Sequence, residues 1–133
     1  MLYNLICNNG KSVNACGLYL EDVIDNNVSM VANSVETTIG TVNFGNNPND
    51  TYVAVDLGEL EGNTLAMVSF EVIVGTIPAG QSTNIVNQAQ LDSTNIGFYI
   101  SDDPTINITQ TDPTVIEAFG PKLEDDVFKN GFE

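Results

Sequence analysis

Between Ala66 and Val74 the chain places an apolar side chain on every second residue: Ala66, Val68, Phe70, Val72 and Val74 share one phase, while Met67, Ser69, Glu71 and Ile73 share the other. Only an extended strand sends alternate residues to opposite faces, so this segment is written for a sheet with one side buried. The same rhythm recurs in shorter runs along the chain, and no run holds a 3.6-residue period for more than about one turn.

Turn chemistry separates the runs. Leu2 to Cys7, with Tyr3, Leu5 and Cys7 on one face, closes on Asn8-Asn9-Gly10, and Cys16 to Asp22 follows with Leu18 and Leu20 in phase with Cys16. Pairing of these two runs as a hairpin would turn both cysteines inward. Val28 to Val35, Ile39 to Phe44, Thr51 to Leu57, Thr83 to Leu91 and a run around Phe98-Tyr99-Ile100 complete the set. Between them lie Gly45-Asn46-Asn47-Pro48-Asn49-Asp50, the stretch 58–63 and Ile77-Pro78-Ala79-Gly80. Short strands at even spacing with turns between them predict an all-β chain, an immunoglobulin-like antiparallel β-sandwich of about seven strands, with a β-barrel as the alternative. The 133 residues suffice for one domain. Residues 1–120 are assigned to it. Residues 121–133 read as a C-terminal tail, because four acids and two lysines there flank the isolated apolar residues Val127, Phe128 and Phe132.

Charge prunes the functions open to such a module. Eighteen acidic residues face three lysines, with no Arg and no His, for a net charge of −15. Nucleic acid as a partner is excluded, since its affinity rests on cationic side chains, and anionic membrane surfaces are repelled for the same reason. Without His there is no Ser-His or Cys-His nucleophile pair, and nothing places two carboxylates on a shared cleft for glycoside hydrolysis. A non-enzymatic chain is expected. The most apolar stretch, Leu65 to Val74, is ten residues long and carries Glu71, too short to span a bilayer. Met1 leads directly into Leu2-Tyr3, with neither a basic region nor a small-residue cleavage site.

Cys7 and Cys16, even in number and close in sequence, suit a disulfide across the first hairpin in an oxidising, extracellular compartment; two buried thiols are the alternative. The carboxylates of Asp102, Asp103 and Asp112, with Asp92 beside them, are the weak candidates for calcium, an oxygen-seeking ion. They lack the alternating acidic spacing of a calcium loop, and Asp-Pro at strand ends is an ordinary turn signal, so no cofactor is expected.

Several fragments in order carry a family resemblance. Tyr3-x-Leu5-x-Cys7-x-Asn9-Gly10, then Ala15-x-Gly17-Leu18-x-Leu20-x-Asp22, is similar to the opening of the "conserved repeat" surface domain, called domain of unknown function 11. Leu57-Gly58-x-Leu60-x-Gly62 leading into Phe70-x-Val72-x-Val74 resembles its central signature, Ile77-Pro78-Ala79-Gly80 and Val86-Asn87-Gln88-Ala89 its late strands, and the paired Ser101-Asp102-Asp103-Pro104 and Asp112-Pro113-Thr114-Val115 its usual close. The resemblance covers about residues 2 to 116. It implies an exported bacterial or archaeal module, immunoglobulin-like, serving as a spacer or an adhesive unit with no catalytic residues. The family has one more strand ahead of the position of Tyr3, so the resemblance implies a sandwich with a gap and an open sheet edge.

The function expected is therefore a structural module of a cell-surface or extracellular assembly, whose partners are copies of itself or neighbouring domains. A filament subunit joined by exchange of a strand or of the tail residues Val127, Phe128 and Phe132 is one form of it, since open edges recruit strands. The alternative is an adhesive module recognising a glycan or host surface through loops such as 45–50, which carries no aromatic ring to stack on a sugar.

Overall fold

The computed structural model describes residues 1–106, 108 and 111–123. The described residues form an all-β sandwich of antiparallel sheets with no helix: β1 (Leu2–Asn9), β2 (Ala15–Val23), β3 (Val28–Met30), β4 (Glu36–Thr37), β5 (Thr41–Phe44), β6 (Tyr52–Leu60), β7 (Thr64–Val74), β8 (Ser82–Asn87), β9 (Ala89–Asp92), β10 (Tyr99–Ile100) and β11 (Thr114–Phe119). Eleven elements replace the strands expected, about seven, because the run 83–91 divides in two and β4 and β11 fall outside the runs read from the sequence.

β7 is the longest strand and the axis of the first sheet. β1 pairs along one of its edges, from Leu2 opposite Glu71 to Asn9 opposite Thr64, and β3 and β4 share the other. The second sheet runs β10-β9-β2-β6-β5, and β8 with β11 makes a separate two-stranded ribbon. The alternation read at residues 66–74 is the burial pattern found: Ala66, Val68, Phe70 and Val72 are buried, while Leu65, Met67 and Ile73 are exposed. Facing them from the second sheet are Leu18, Leu20, Val53, Val55, Leu57 and Leu60, and these two inner faces make the core. Burying a side chain such as Phe70 or Leu18 contributes roughly 2–3 kcal/mol each.

The first hairpin expected from the sequence does not form. β1 and β2 belong to different sheets, and the chain between them crosses the end of the sandwich. Asn9 fixes that crossing: its buried amide donates from Nδ2 to the carbonyls of Val13 and Leu60, while its Oδ1 accepts from the Lys11 N–H. The run 83–91 divides at Gln88, whose side-chain amide donates to the carbonyls of Ser101 and Thr111 instead of letting the strand continue. β8 then belongs to the ribbon and β9 to the second sheet. β11 follows an Asp-Pro turn and was not expected as a strand; its Val115, Ile116 and Phe119 leave much of their surface exposed, so its pattern lacks a clean buried phase.

Candidate functional site

The two long seams of the sandwich differ. On one side β4 and β5 pass the chain from the first sheet to the second, and Gly40 lies between them pressed on the backbone of Asp56 and Leu57. Gly40 has a φ of +79°, and a Cβ there would collide with the Asp56 carbonyl oxygen, so only glycine closes the seam this tightly.

On the opposite side nothing bridges β1 to β9 and β10 among the described residues. β1 pairs with β7 alone, which leaves its other edge without a ladder. Beside that edge runs a cleft of about 670 Å³, and every residue from Tyr3 to Lys11 lines it. Its far wall is Ala89, Leu91, Tyr99 and Ile100, and its floor is Leu18, Leu20 and Leu60. Leu5 and Leu91 are half-buried in its walls, packed against the core while lining the cleft.

Two polar residues of the lining, Tyr3 and Asn87, belong to a buried cluster with Asp22, which is not itself part of the lining. Asp22 is 0% exposed, Asn87 4% and Tyr3 7%. Asn87 donates from Nδ2 to Asp22 Oδ2 at 2.8 Å. The other oxygen of each group, Asp22 Oδ1 and Asn87 Oδ1, is buried with no hydrogen-bond partner, and so is the Tyr3 hydroxyl. Burial pushes the Asp22 carboxyl up to about 6, against the opposing pull of the Asn87 amide. Burial, then the nearby charge of Asp22, then that of Asp25, raises the Tyr3 hydroxyl in turn. The Tyr3 ring itself packs on Phe70, with centroids 5.4 Å apart. The signal for this cluster was present in the sequence: Asp22 falls in phase with Leu18 and Leu20, and Asn87 in phase with Ile85 and Ala89, so an acid and an amide sit on inward positions. Asp22 was passed over because it closes its run, where polar residues usually mark a turn, and Asn87 because a lone amide inside the run 83–91 gives no signal until its partner is known.

The expected Cys7–Cys16 disulfide is absent, and both cysteines are free thiols. Gly17, with a φ of +58°, sits in a bulge that shifts the register of β2 between Ala15 and Leu18. Ala15 and Leu18 both point into the core as a result, and Cys16 loses the inward phase the even spacing had given it. Its sulfur lies 3.9 Å from the Asn14 carbonyl oxygen. Cys7 stays buried on the other sheet, opposite Ala66, where burial raises its thiol.

The acidic candidates for calcium lie near one another, but their oxygens serve the local turns. Asp102 Oδ1 accepts from the Asp112 N–H, Asp103 Oδ1 from the Thr105 N–H and hydroxyl, and Asp112 Oδ2 from the Ile108 N–H. Asp92 is spent on the N–H of Ser93. Among the described residues no three acidic or cysteine side chains converge as a metal site. The tail residues Val127, Phe128 and Phe132 lie outside the described residues. Compared with protein-family models, with curated proteins and with solved structures, the chain matches none.

Proposed function

We propose that this chain is a non-catalytic structural module of an exported bacterial cell-surface or extracellular assembly, immunoglobulin-like in kind, and that modules are joined by a strand laid into the open seam. The observation that carries this reading is the free edge of β1 beside an apolar cleft that follows the strand from end to end. A strand seated there gains main-chain hydrogen bonds from β1 and covers Leu5, Leu91 and Ile100, the two sources of affinity in strand addition. The resemblance of residues 2 to 116 to the conserved-repeat surface domain points the same way.

In this reading the donor is the C-terminal segment of a neighbouring copy, where Val127, Phe128 and Phe132 supply apolar side chains. Such a contact is head-to-tail and does not close on itself, so it builds a filament. Deleting residues 122–133 tests it. Size-exclusion chromatography of the full chain is expected to give multimers and of the deletion a monomer; an unchanged oligomeric state rejects the tail as donor.

A second reading, recognition of a glycan, is favoured by one feature: Phe44 and Tyr52 stack at 4.8 Å at the base of the 45–50 loop, with Phe44 exposed. Each ring spends a face on the other, and the loop's own polar groups are engaged, Asp50 Oδ2 accepting from the N–H groups of Gly45 and Asn47. Binding to immobilised glycans that vanishes in Phe44→Ser would establish this reading over the first.

A further inference from the structure

Buried polar atoms are nearly always paired, because an unmade hydrogen bond in an apolar setting costs about 1–3 kcal/mol, and more where a charge is involved. Three such atoms left unpaired in one place are therefore a requirement waiting to be met. Asp22 Oδ1, Asn87 Oδ1 and the Tyr3 hydroxyl all carry lone pairs, and the one donor among them is the hydroxyl hydrogen. They include a buried carboxylate, and among the described residues no cation is paired with it: the Met1 ammonium donates to the Val72 carbonyl, and Lys11 lies past the end of β1 away from Tyr3. Tyr3 and Asn87 belong to the wall of the cleft, so the cluster lies where an occupant of the cleft would arrive.

A water molecule satisfies two acceptors and brings no charge. A metal ion would ask for more carboxylates than one. A primary ammonium has three N–H donors, one positive charge and, on lysine, a thin aliphatic stem that passes between apolar walls. It matches the number of vacant acceptors, the sign of the charge and the lining of the approach.

We propose that the Tyr3, Asp22 and Asn87 cluster is a binding subsite for the ammonium group of a lysine carried on the strand that occupies the cleft. The inference rests on the strand-addition reading for the identity of its partner, and it adds what that reading lacks, a reason for one strand to be chosen over another. Apolar contacts along Leu5 and Leu91 accept any β-forming segment; a buried carboxylate with two further acceptors accepts one with a lysine in register and penalises one without. The raised affinity of Asp22 for protons is the same demand, met by the nearest cation to hand. None of the three atoms is reached by water in the unfilled cleft, so the incoming stem must part the side chains in front of them.

The lysine side chain has a small-molecule equivalent, n-butylammonium, and the test uses it with the full chain. Titration followed by the side-chain amide signals of Asn87 is expected to show saturable shifts. Tetramethylammonium, a cation without donors, and n-butanol, a stem without charge, should leave those signals in place. Asp22→Asn keeps the shape and removes the charge, and is expected to weaken binding about tenfold or more, the worth of a hydrogen bond to a charged group. Tyr3→Phe removes one acceptor and should weaken it by a smaller factor. Condensation at Asn87, in which the amine nitrogen bonds to Cγ while the Cγ–Nδ2 bond breaks and ammonia leaves with the proton, would appear as a mass gain of butylamine less ammonia; it requires the same seating and equally supports the subsite. Absence of saturation, equal response to n-butanol, or undiminished binding by Asp22→Asn overturns it. The outcome is separable from that of the tail deletion: butylammonium bound while assembly survives the deletion leaves the subsite standing with another donor strand, whereas failure of butylammonium removes the subsite whatever the assembly does.

Discussion

Asn87 donates from its side-chain amide to Asp22 at 2.8 Å, joining the end of the β8 ribbon to the middle of the second sheet in a place neither residue shares with water. The bond settles one oxygen of the carboxylate and leaves the other bare, so the charge of Asp22 is only partly compensated where it is buried.

The sign of that sensitivity follows from its upward displacement. Below about pH 4 Asp22 is neutral whether the chain is folded or not. Above it the unfolded chain ionises near 3.8, while the folded chain holds its proton until about 6. Stability is therefore lost as pH rises through that window, by up to about 3 kcal/mol. Urea unfolding of the native chain and of Asp22→Asn at pH 4 and pH 7.5 is expected to show the variant gaining on the native chain by that amount. A difference that does not move with pH refutes the assignment.

Both cysteines should alkylate without reductant. Cys16, half-exposed on its bulge, should react before Cys7, which is buried and whose thiol is raised by burial. Intact mass after timed iodoacetamide treatment reads the order, and a native species that refuses two adducts until reduced would contradict the free thiols.

Calcium should leave the melting curve almost unmoved. A specific site at a hundredfold excess over its dissociation constant would stabilise by about 2.7 kcal/mol, a shift of several degrees in a chain this size. Asp102, Asp103 and Asp112 already serve backbone N–H groups, so a large chelator-reversible shift would mean that those turns rearrange around the ion.

Gly40→Ala should cost roughly 2–4 kcal/mol, since the new Cβ meets the Asp56 carbonyl at a left-handed backbone position. Gly10→Ala is the control. Nothing lies within 4 Å of a Cβ at Gly10, and its melting temperature should match that of the native chain.

The strands of the core were legible because their apolar phase survives every local irregularity: Phe70 and Val68 are buried where alternation put them, and Leu18 and Leu20 likewise. Pairing was not legible. Asn8-Asn9-Gly10 reads as a hairpin turn, and only the burial of Asn9 between Leu60 and Val13 makes it a crossing between sheets. The bulge at Gly17 is likewise invisible to a period-two count, which carried Cys16 inward with Leu18. The buried polar cluster was not legible either: an inward acid at the end of a run looks like a turn residue until its partner, Asn87, is placed beside it by a contact 65 positions away.

The register of β1 has a consequence for how the molecule is made. Leu2 cannot find its place until Glu71 has been synthesised, and Asn9 waits for Thr64. During that interval the first strand of the chain carries Tyr3, Leu5 and Cys7 with no surface to bury them against. Its natural first neighbour, β2, goes to the opposite sheet and finds its own partners in β6 and β9, also far downstream. A topology so poor in local pairings pays loop-closure entropy before any contact repays it, which places its folding among the millisecond-to-second β proteins. Until β7 is made, β1 is a bare β-forming segment, and any rival strand met in that interval competes with β7 for the same edge.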